Sequence, residues 1–361
     1  MSRMAAKLAL ALASLAVGLI LCELAVRVDQ YGWRALWPSL MESTHPIGTS
    51  GLIQTATASR EMLYELKPNL DTYYKLTRFR TNAFGMRDRD YALEKPANTF
   101  RAAVIGDSFT MPAGVEIEDA FHSRIEDELN RRSPATRFEF LNFAVDGYQL
   151  PQYLSVMQHK VPPFHPDLIL LGFCPNDYVW IAAYEKELYA KPYQVLPVSH
   201  PFFELQLLPW LSKTMDRIRH RNIPKQPWEA KLNDELRAHV ELHLSQISAL
   251  AHQSGAPLVV AFLSPFSGGF DVLKSFLQEL ATRYDFHFVD VSLAFPHEET
   301  RRYRIYEADA HPNDEANRIF ADVILKYLID NGLVPVGDAA AAPQAKPSAL
   351  PPPGATSAGG G

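Results

Sequence analysis

The stretch Ala103-Val104-Ile105-Gly106-Asp107-Ser108-Phe109-Thr110 is a short apolar run of β character that ends abruptly in Gly-Asp-Ser. A segment of helical character begins a few residues later, after Pro112 and Gly114. A strand that stops at Gly and presents a Ser at its carboxyl end suits nucleophilic catalysis, because ligands of open α/β sheets bind outside the carboxyl ends of the strands. The same residues also suit a plain turn, in which Gly supplies the backbone angle and Asp and Ser hydrogen-bond freed amides. The rest of the chain decides between these readings.

Working outward, apolar runs alternate with segments of helical period. Strands are predicted over 101–106, 138–145, 167–174, 258–263 and 287–291, and helices over 120–132, 150–161, 228–252, 272–284 and 315–328. The run at 167–174 is almost wholly apolar, as a strand buried on both faces of a parallel sheet should be. Such alternation implies an α/β fold with a parallel sheet and helices on both faces. The long helix carries Leu232, Leu236, Val240, Leu244 and Ile247 as its buried stripe and stops at Gly255, a common residue just past a helix end.

Four flanking or inserted segments break the pattern. Residues 1–28 hold Arg3 and Lys7 followed by a charge-free run from Leu8 to Cys22. A helix over 5–26 rises roughly 33 Å, about one hydrocarbon thickness. The basic start favours a cytoplasmic N-terminus with the remainder outside. A cleavable signal peptide is the rival reading, but the small residues it needs fit poorly here. Residues 29–98 are expected to form an irregular neck whose aromatics (Trp33, Trp37, Tyr64, Tyr73, Tyr74) pack against a main domain over 99–333. Within that domain, 178–228 is an insertion rich in aromatics and prolines, suited to a lid or a small accessory core. Past 333 the chain turns to Ala, Pro, Gly and Ser and is expected to be disordered.

Composition excludes some functions. A net charge of -6 offers no basic patch for nucleic acid. No Gly-x-Gly-x-x-Gly follows a strand and no phosphate-loop Gly-Lys-Ser/Thr occurs, so no nucleotide cofactor is expected. His239 and His243 lie four apart around Glu241, but in the order His-Val-Glu-Leu-His and without a third ligand, so no metal is expected. Cys22 and Cys174 lie in different apolar segments and do not suggest a disulfide; Cys174 reads as a small core residue.

Four polar segments remain, at strand ends or in the last loop: Ser108; Asn142 to Tyr148 with Gly147; Cys174-Pro175-Asn176-Asp177; and Asp309-Ala310-His311-Pro312-Asn313. A parallel sheet brings strand ends to one edge. A Ser hydroxyl needs a base within hydrogen-bond reach, and His is the usual one. A third group must hold the imidazole tautomer, a role open to Asp309. The oxyanion of a tetrahedral intermediate needs aimed donors, which the Ser108 and Gly147 amides and the Asn176 side chain would provide.

These blocks resemble the SGNH (GDSL-type) hydrolases, named for the Ser, Gly, Asn and His that would here be Ser108, Gly147, Asn176 and His311. The resemblance covers roughly 100–330 and implies a flavodoxin-like three-layer fold with the N-terminal transmembrane helix added. The phrase Asn82 to Asp88 and an anchor ending in Glu23 also resemble bacterial membrane-attached members. Two departures stand out. Cys174 replaces the family's Gly two residues before Asn, and Ala308 stands where the family's Asp usually precedes His by three, Asp309 lying two before it. The shorter Asp-x-His spacing is also seen in related polysaccharide O-acetyltransferases, and a Ser-His dyad is the alternative to a triad. The resemblance implies a serine esterase on the periplasmic side of an inner membrane, acting on an O-acetyl or other acyl ester of a glycan or lipid without a cofactor. Its alternatives are an O-acetyltransferase with a polytopic acyl-donor partner and a non-catalytic glycan-binding protein.

Overall fold

A computed structural model of the chain describes residues 3–38, 40, 51–177, 205–219, 232–265, 268–296 and 300–336. Most of the aromatic insertion and nearly all of the tail fall outside the described residues. The helices are α1 (Arg3–Tyr31), α2 (Phe121–Arg132), α3 (Leu150–His159), α4 (Leu207–Arg219), α5 (Asp234–Ser254), α6 (Asp271–Arg283) and α7 (Asp314–Asp330). Short strands β1 (Ile53–Thr55), β2 (Tyr64–Leu66), β3 (Asp71–Tyr74) and β4 (Thr77–Arg80) precede the main sheet. That sheet comprises β5 (Thr99–Ile105), β6 (Arg137–Asn142), β7 (Leu168–Phe173), β8 (Leu258–Phe262) and β9 (His287–Asp290). A hairpin of β10 (Arg304–Tyr306) and β11 (Asp309–Pro312) follows.

The run ending at Gly106 is β5, inside a five-stranded parallel sheet of order β6-β5-β7-β8-β9. This is the doubly wound order in which the chain leaves β5 toward one side and returns on the other, so the crevice at the carboxyl ends of β5 and β7 is the topological switch point. β7 and β8 are buried at every position, which is why they read as unbroken apolar runs. Successive side chains of a strand point to opposite faces. Ala103 and Ile105 therefore join the layer of α3, α5 and α6, and Ala102 and Val104 join that of α2 and α7. The three-layer arrangement follows.

Gly106 is not there for a special backbone angle, since its φ is not positive. A Cβ on Gly106 or on Gly172 would collide with the Thr110 side chain. The two glycines let the turn after β5 fold down onto β7, which places Ser108 over the sheet edge.

The neck is more regular than its composition suggests. β1 pairs with β2 and β3 with β4, both antiparallel. Its strands are only three or four residues long, and the β3–β4 turn is Lys75-Leu76 with positive φ at both residues (48° and 63°), without the Asn or Gly that usually marks such a turn. Tyr64 and Tyr74 are buried as expected, whereas Trp33, Trp37 and Tyr73 are exposed. The last polar segment, read as a loop, is strand β11. The long helix starts at Asp234, where the Asn233 side chain accepts from Leu236 N at 2.9 Å, and ends at Gly255 with φ 73°.

α1 is long and apolar enough to cross a membrane by length and composition, with a mean hydropathy of 2.4 over an 18-residue window; it is exposed up to Cys22, whereas Glu23, Val26 and Arg27 are buried and Val28, Gln30 and Tyr31 half-buried. The one acid in the apolar run has a local reason. Glu23 accepts from Gln206 N (2.9 Å) and Leu207 N (2.8 Å), capping α4, and is paired with Arg27 at 2.7 Å. The last turn of α1 reaches the β10–β11 hairpin, where Ala308 N donates to Gln30 O at 3.1 Å and the Tyr31 and Tyr306 rings lie 5.1 Å apart.

Candidate active site

Ser108 lies three residues past β5 in a turn held by the Asp107 carboxylate, which accepts from Phe109 N at 2.8 Å. Its Oγ faces His311 Nε2 at 2.8 Å. His311 Nδ1 makes a short hydrogen bond to Asp309 Oδ1, and the same oxygen accepts the backbone N–H of His311 at 3.0 Å. The shortened Asp-x-His spacing thus folds the carboxylate back along its own strand and under the imidazole. The partners assign the tautomer: Nδ1 carries the proton toward Asp309, leaving Nε2 to accept from the Ser hydroxyl. Burial by itself raises the Asp309 carboxyl, but His311 and Lys75 outweigh it and hold the group well below the usual carboxylate range.

Ser108, Asn176 and His311 line one small cavity of about 260 Å³ with Phe109, Cys174, Pro175 and Phe270. A cleft of about 590 Å³ lies at the other edge of the sheet, among Lys95, Pro162 and Asp167 just before β7, and is larger but remote from these groups. Asn176 lies three residues past β7, matching Ser108 past β5. Gly147 does not line the cavity. It belongs to the loop after β6, which runs beside Ser108's strand end through the bond from Val145 N to Gly106 O at 3.3 Å. Gly147 needs φ 79°, and a Cβ there would lie 2.7 Å from the Tyr64 hydroxyl. Among the described residues no hydrogen bond occupies the Ser108 amide, the Gly147 amide or the Asn176 side-chain amide.

Beneath Ser108 lies a layer of buried acids. Asp177 accepts from Cys174 N at 2.8 Å and from the Tyr153 hydroxyl at 2.9 Å, which fixes the turn that presents Asn176. Burial pushes the Asp107 carboxyl up, and burial with the charge of Asp107 pushes Asp177 well above the ordinary range. Burial likewise pushes the Cys174 thiol well up, so it is a packing group at this wall rather than a nucleophile.

The neck supplies groups to which the sequence reading assigns no part in the site. Tyr64 donates to Asp146 O at 2.8 Å and Tyr74 to the Asp146 carboxylate, bracing the Gly147 loop. Lys75 Nζ lies 2.5 Å from Asp309 Oδ2 and 3.0 Å from His311 Nδ1. Arg87 is fully buried and donates to the carbonyls of Met111 (2.9 Å), Pro112 and Val115, the loop that follows Ser108. Burial lowers its guanidinium to about 10, which leaves it charged at neutral pH. For Arg87 the sequence signal is the phrase Asn82 to Asp88. Its Asn82 side chain accepts from Phe84 N and Met86 N, both at 3.0 Å, and so turns the chain to aim Arg87 inward. Arg87→Met leaves several buried carbonyls without donors and is expected to cost about 3 kcal/mol. Thermal unfolding checks this as a midpoint lowered by several degrees, with catalysis weakened as the loop loosens.

A family model of the GDSL-like lipases/acylhydrolases matches residues 104–319, from within β5 to within α7. Solved structures that resemble the chain include TesA, at 13% identity with a TM-score of 0.42, covering 65% of this chain and 99% of that one. A catalytic mutant of Axe2, an acetylxylan esterase from Geobacillus stearothermophilus, aligns at 13% identity and a TM-score of 0.42, covering 63% and 93%. A hydrolase named LAE5 from the metagenome of Lake Arreo aligns at 16% identity and a TM-score of 0.41, covering 65% and 95%. No curated protein sequence matches the chain. The family match takes in more than half of the chain, including all four polar blocks, and on that ground the chain belongs to the GDSL-like lipase/acylhydrolase family as an ester hydrolase of SGNH type.

Proposed function

We propose that this hydrolase is a membrane-anchored, extracytoplasmic serine esterase that removes a short acyl group, an O-acetyl above all, from a glycan or lipid. The observation that carries the reading is the unbroken line from Ser108 Oγ through His311 to Asp309, with 2.8 Å at the Ser108–His311 step.

In this reading Ser108 Oγ attacks the ester carbonyl as its proton passes to His311 Nε2. Asp309 holds Nδ1–H and stabilises the imidazolium that forms. The carbonyl oxygen becomes an oxyanion met by the Ser108 and Gly147 amides and the Asn176 side chain. Collapse expels the alkoxide, which takes the proton from His311, and leaves an acyl-Ser108. Water then attacks with His311 again as base, giving the carboxylic acid and free Ser108. The cavity of about 260 Å³ is smaller than ordinary small-molecule sites and is walled by Phe109, Pro175 and Phe270, which suits a short apolar acyl group. Arg3 and Lys7 ahead of the apolar part of α1 support a cytoplasmic N-terminus, with the catalytic part on the other side.

The full chain in detergent, assayed on p-nitrophenyl esters of increasing chain length, is expected to be fastest on acetate. Turnover should fall by about tenfold or more once the acyl chain outgrows the cavity, each poorly placed methylene weakening transition-state binding. Preference for long chains would contradict the short-acyl reading. Products formed with an acetylated oligosaccharide and a free sugar present would separate hydrolysis from transfer, the two routes diverging only at the acceptor.

A further inference from the structure

Lys75 is an unusual residue for its place. It belongs to the neck, outside the stretch matched by the family model. Its side chain is 8% exposed, although lysine is almost never buried unless paired. With Leu76 it forms a two-residue turn in which both non-glycine residues hold positive φ, 48° and 63°. Strain of this kind persists only where the surroundings impose it, and it collects at functional sites. Its Nζ lies over the Tyr74 ring, 5.6 Å from the centroid, and within reach of both Asp309 and His311.

We propose that Lys75 is a positioning residue of this site, whose ammonium fixes the outer oxygen of Asp309 and opposes a second positive charge on His311. The short Asp-x-His spacing explains why such a group is needed. Asp309 Oδ1 is taken up twice by His311, through its backbone N–H and through Nδ1. That leaves Oδ2 in a largely desolvated place, where an acceptor without a donor is costly. Lys75 meets it at 2.5 Å and so locks the carboxylate plane beneath the imidazole. The same ammonium lies 3.0 Å from His311 Nδ1. A like charge so close disfavours the imidazolium, while Asp309 favours it. The pair together holds the base in its catalytic tautomer. The other groups around this cluster are Tyr31 from α1, Tyr74 from β3, Tyr306 from β10, and Asp107 and Asp146 from the loops after β5 and β6. Arg27 of α1, which acts on Tyr31, is a further cation among these neighbours and is paired with Glu23 at 2.7 Å.

The proposal rests on His311 being the base, and its test reads the ring directly, so it is decided separately from the esterase assay. Full-length protein in detergent micelles is labelled with 15N-histidine, and His311 is assigned by the signal lost in His311→Gln. Its titration is then compared in the native chain, Lys75→Met and Lys75→Arg. The expected midpoint rises by about one pH unit in Lys75→Met and stays near the native value in Lys75→Arg, which keeps the charge. Should Lys75→Met fail to fold, Lys75→Gln takes its place with the same expectation. A midpoint that does not move, or that moves equally in Lys75→Arg and Lys75→Met, overturns the proposal. The acid limb of the rate profile should move with the midpoint. A native chain without esterase activity would count against the proposed function and leave the histidine titration to decide the role of Lys75.

Discussion

Ser108→Ala is expected to lower turnover of an aryl acetate by at least about 10³-fold while leaving the fold intact. Members of a nucleophile–base pair act as a unit, and removal of one discards most of the chemistry of all of them. What remains is the contribution of binding and of oxyanion donors, which is small on that scale. The structural cost is slight, because among the described residues the hydroxyl makes one hydrogen bond, to His311, and alanine fits the same turn. Losing one such bond costs about 1 kcal/mol. Side-by-side measurement of turnover and thermal midpoint checks both parts. A folded Ser108→Ala protein with native turnover would remove Ser108 from the mechanism.

Asp309→Asn is expected to fall by about 10²–10⁴-fold and to be no better than Asp309→Ala. The argument is one of donors and acceptors. Lys75 is donor-only and charged, so it draws the new amide oxygen to its side against the weaker claim of the His311 backbone N–H. The amide NH₂ is then left facing His311 Nδ1, which must accept. That choice puts the ring proton on Nε2, aimed at Ser108 Oγ, where a lone pair is required. An alanine leaves the ring free to adopt either tautomer. Turnover of the two variants under identical conditions settles the order. Near-native turnover in Asp309→Asn would mean that Ser108 and His311 work as a dyad.

How much of this was legible in the sequence follows from what kind of signal each part leaves. The sheet was readable because strands such as β7 and β8 are buried on both faces and so must be apolar throughout. The ends of those strands were readable because Gly106, Asn176 and His311 interrupt apolar or regular segments. Gly106 reads as a turn residue, yet its cause is Thr110, which folds back between Gly106 and Gly172 of β7, and no local pattern encodes the contact with β7. The β3–β4 hairpin left no mark, since Lys75-Leu76 carries none of the residues that usually allow positive φ. With that hairpin unread, the neighbours it delivers to Asp309 and Asp146 stayed unread too. Arg87 stood in a conspicuous phrase, but its burial under the loop after Ser108 depends on the neck folding back onto the core. The acid in α1 posed the same problem: Glu23 breaks an apolar run in sequence and caps a distant helix in space.

The central claim is that Ser108 is a nucleophile activated by His311. Its most direct test is the intact mass of the full chain after treatment with a fluorophosphonate, followed by mapping of the modified peptide. The account predicts one adduct, on Ser108, formed by the native chain and lost in both Ser108→Ala and His311→Ala. An adduct that persists in Ser108→Ala, or a native chain that takes up none, would contradict it.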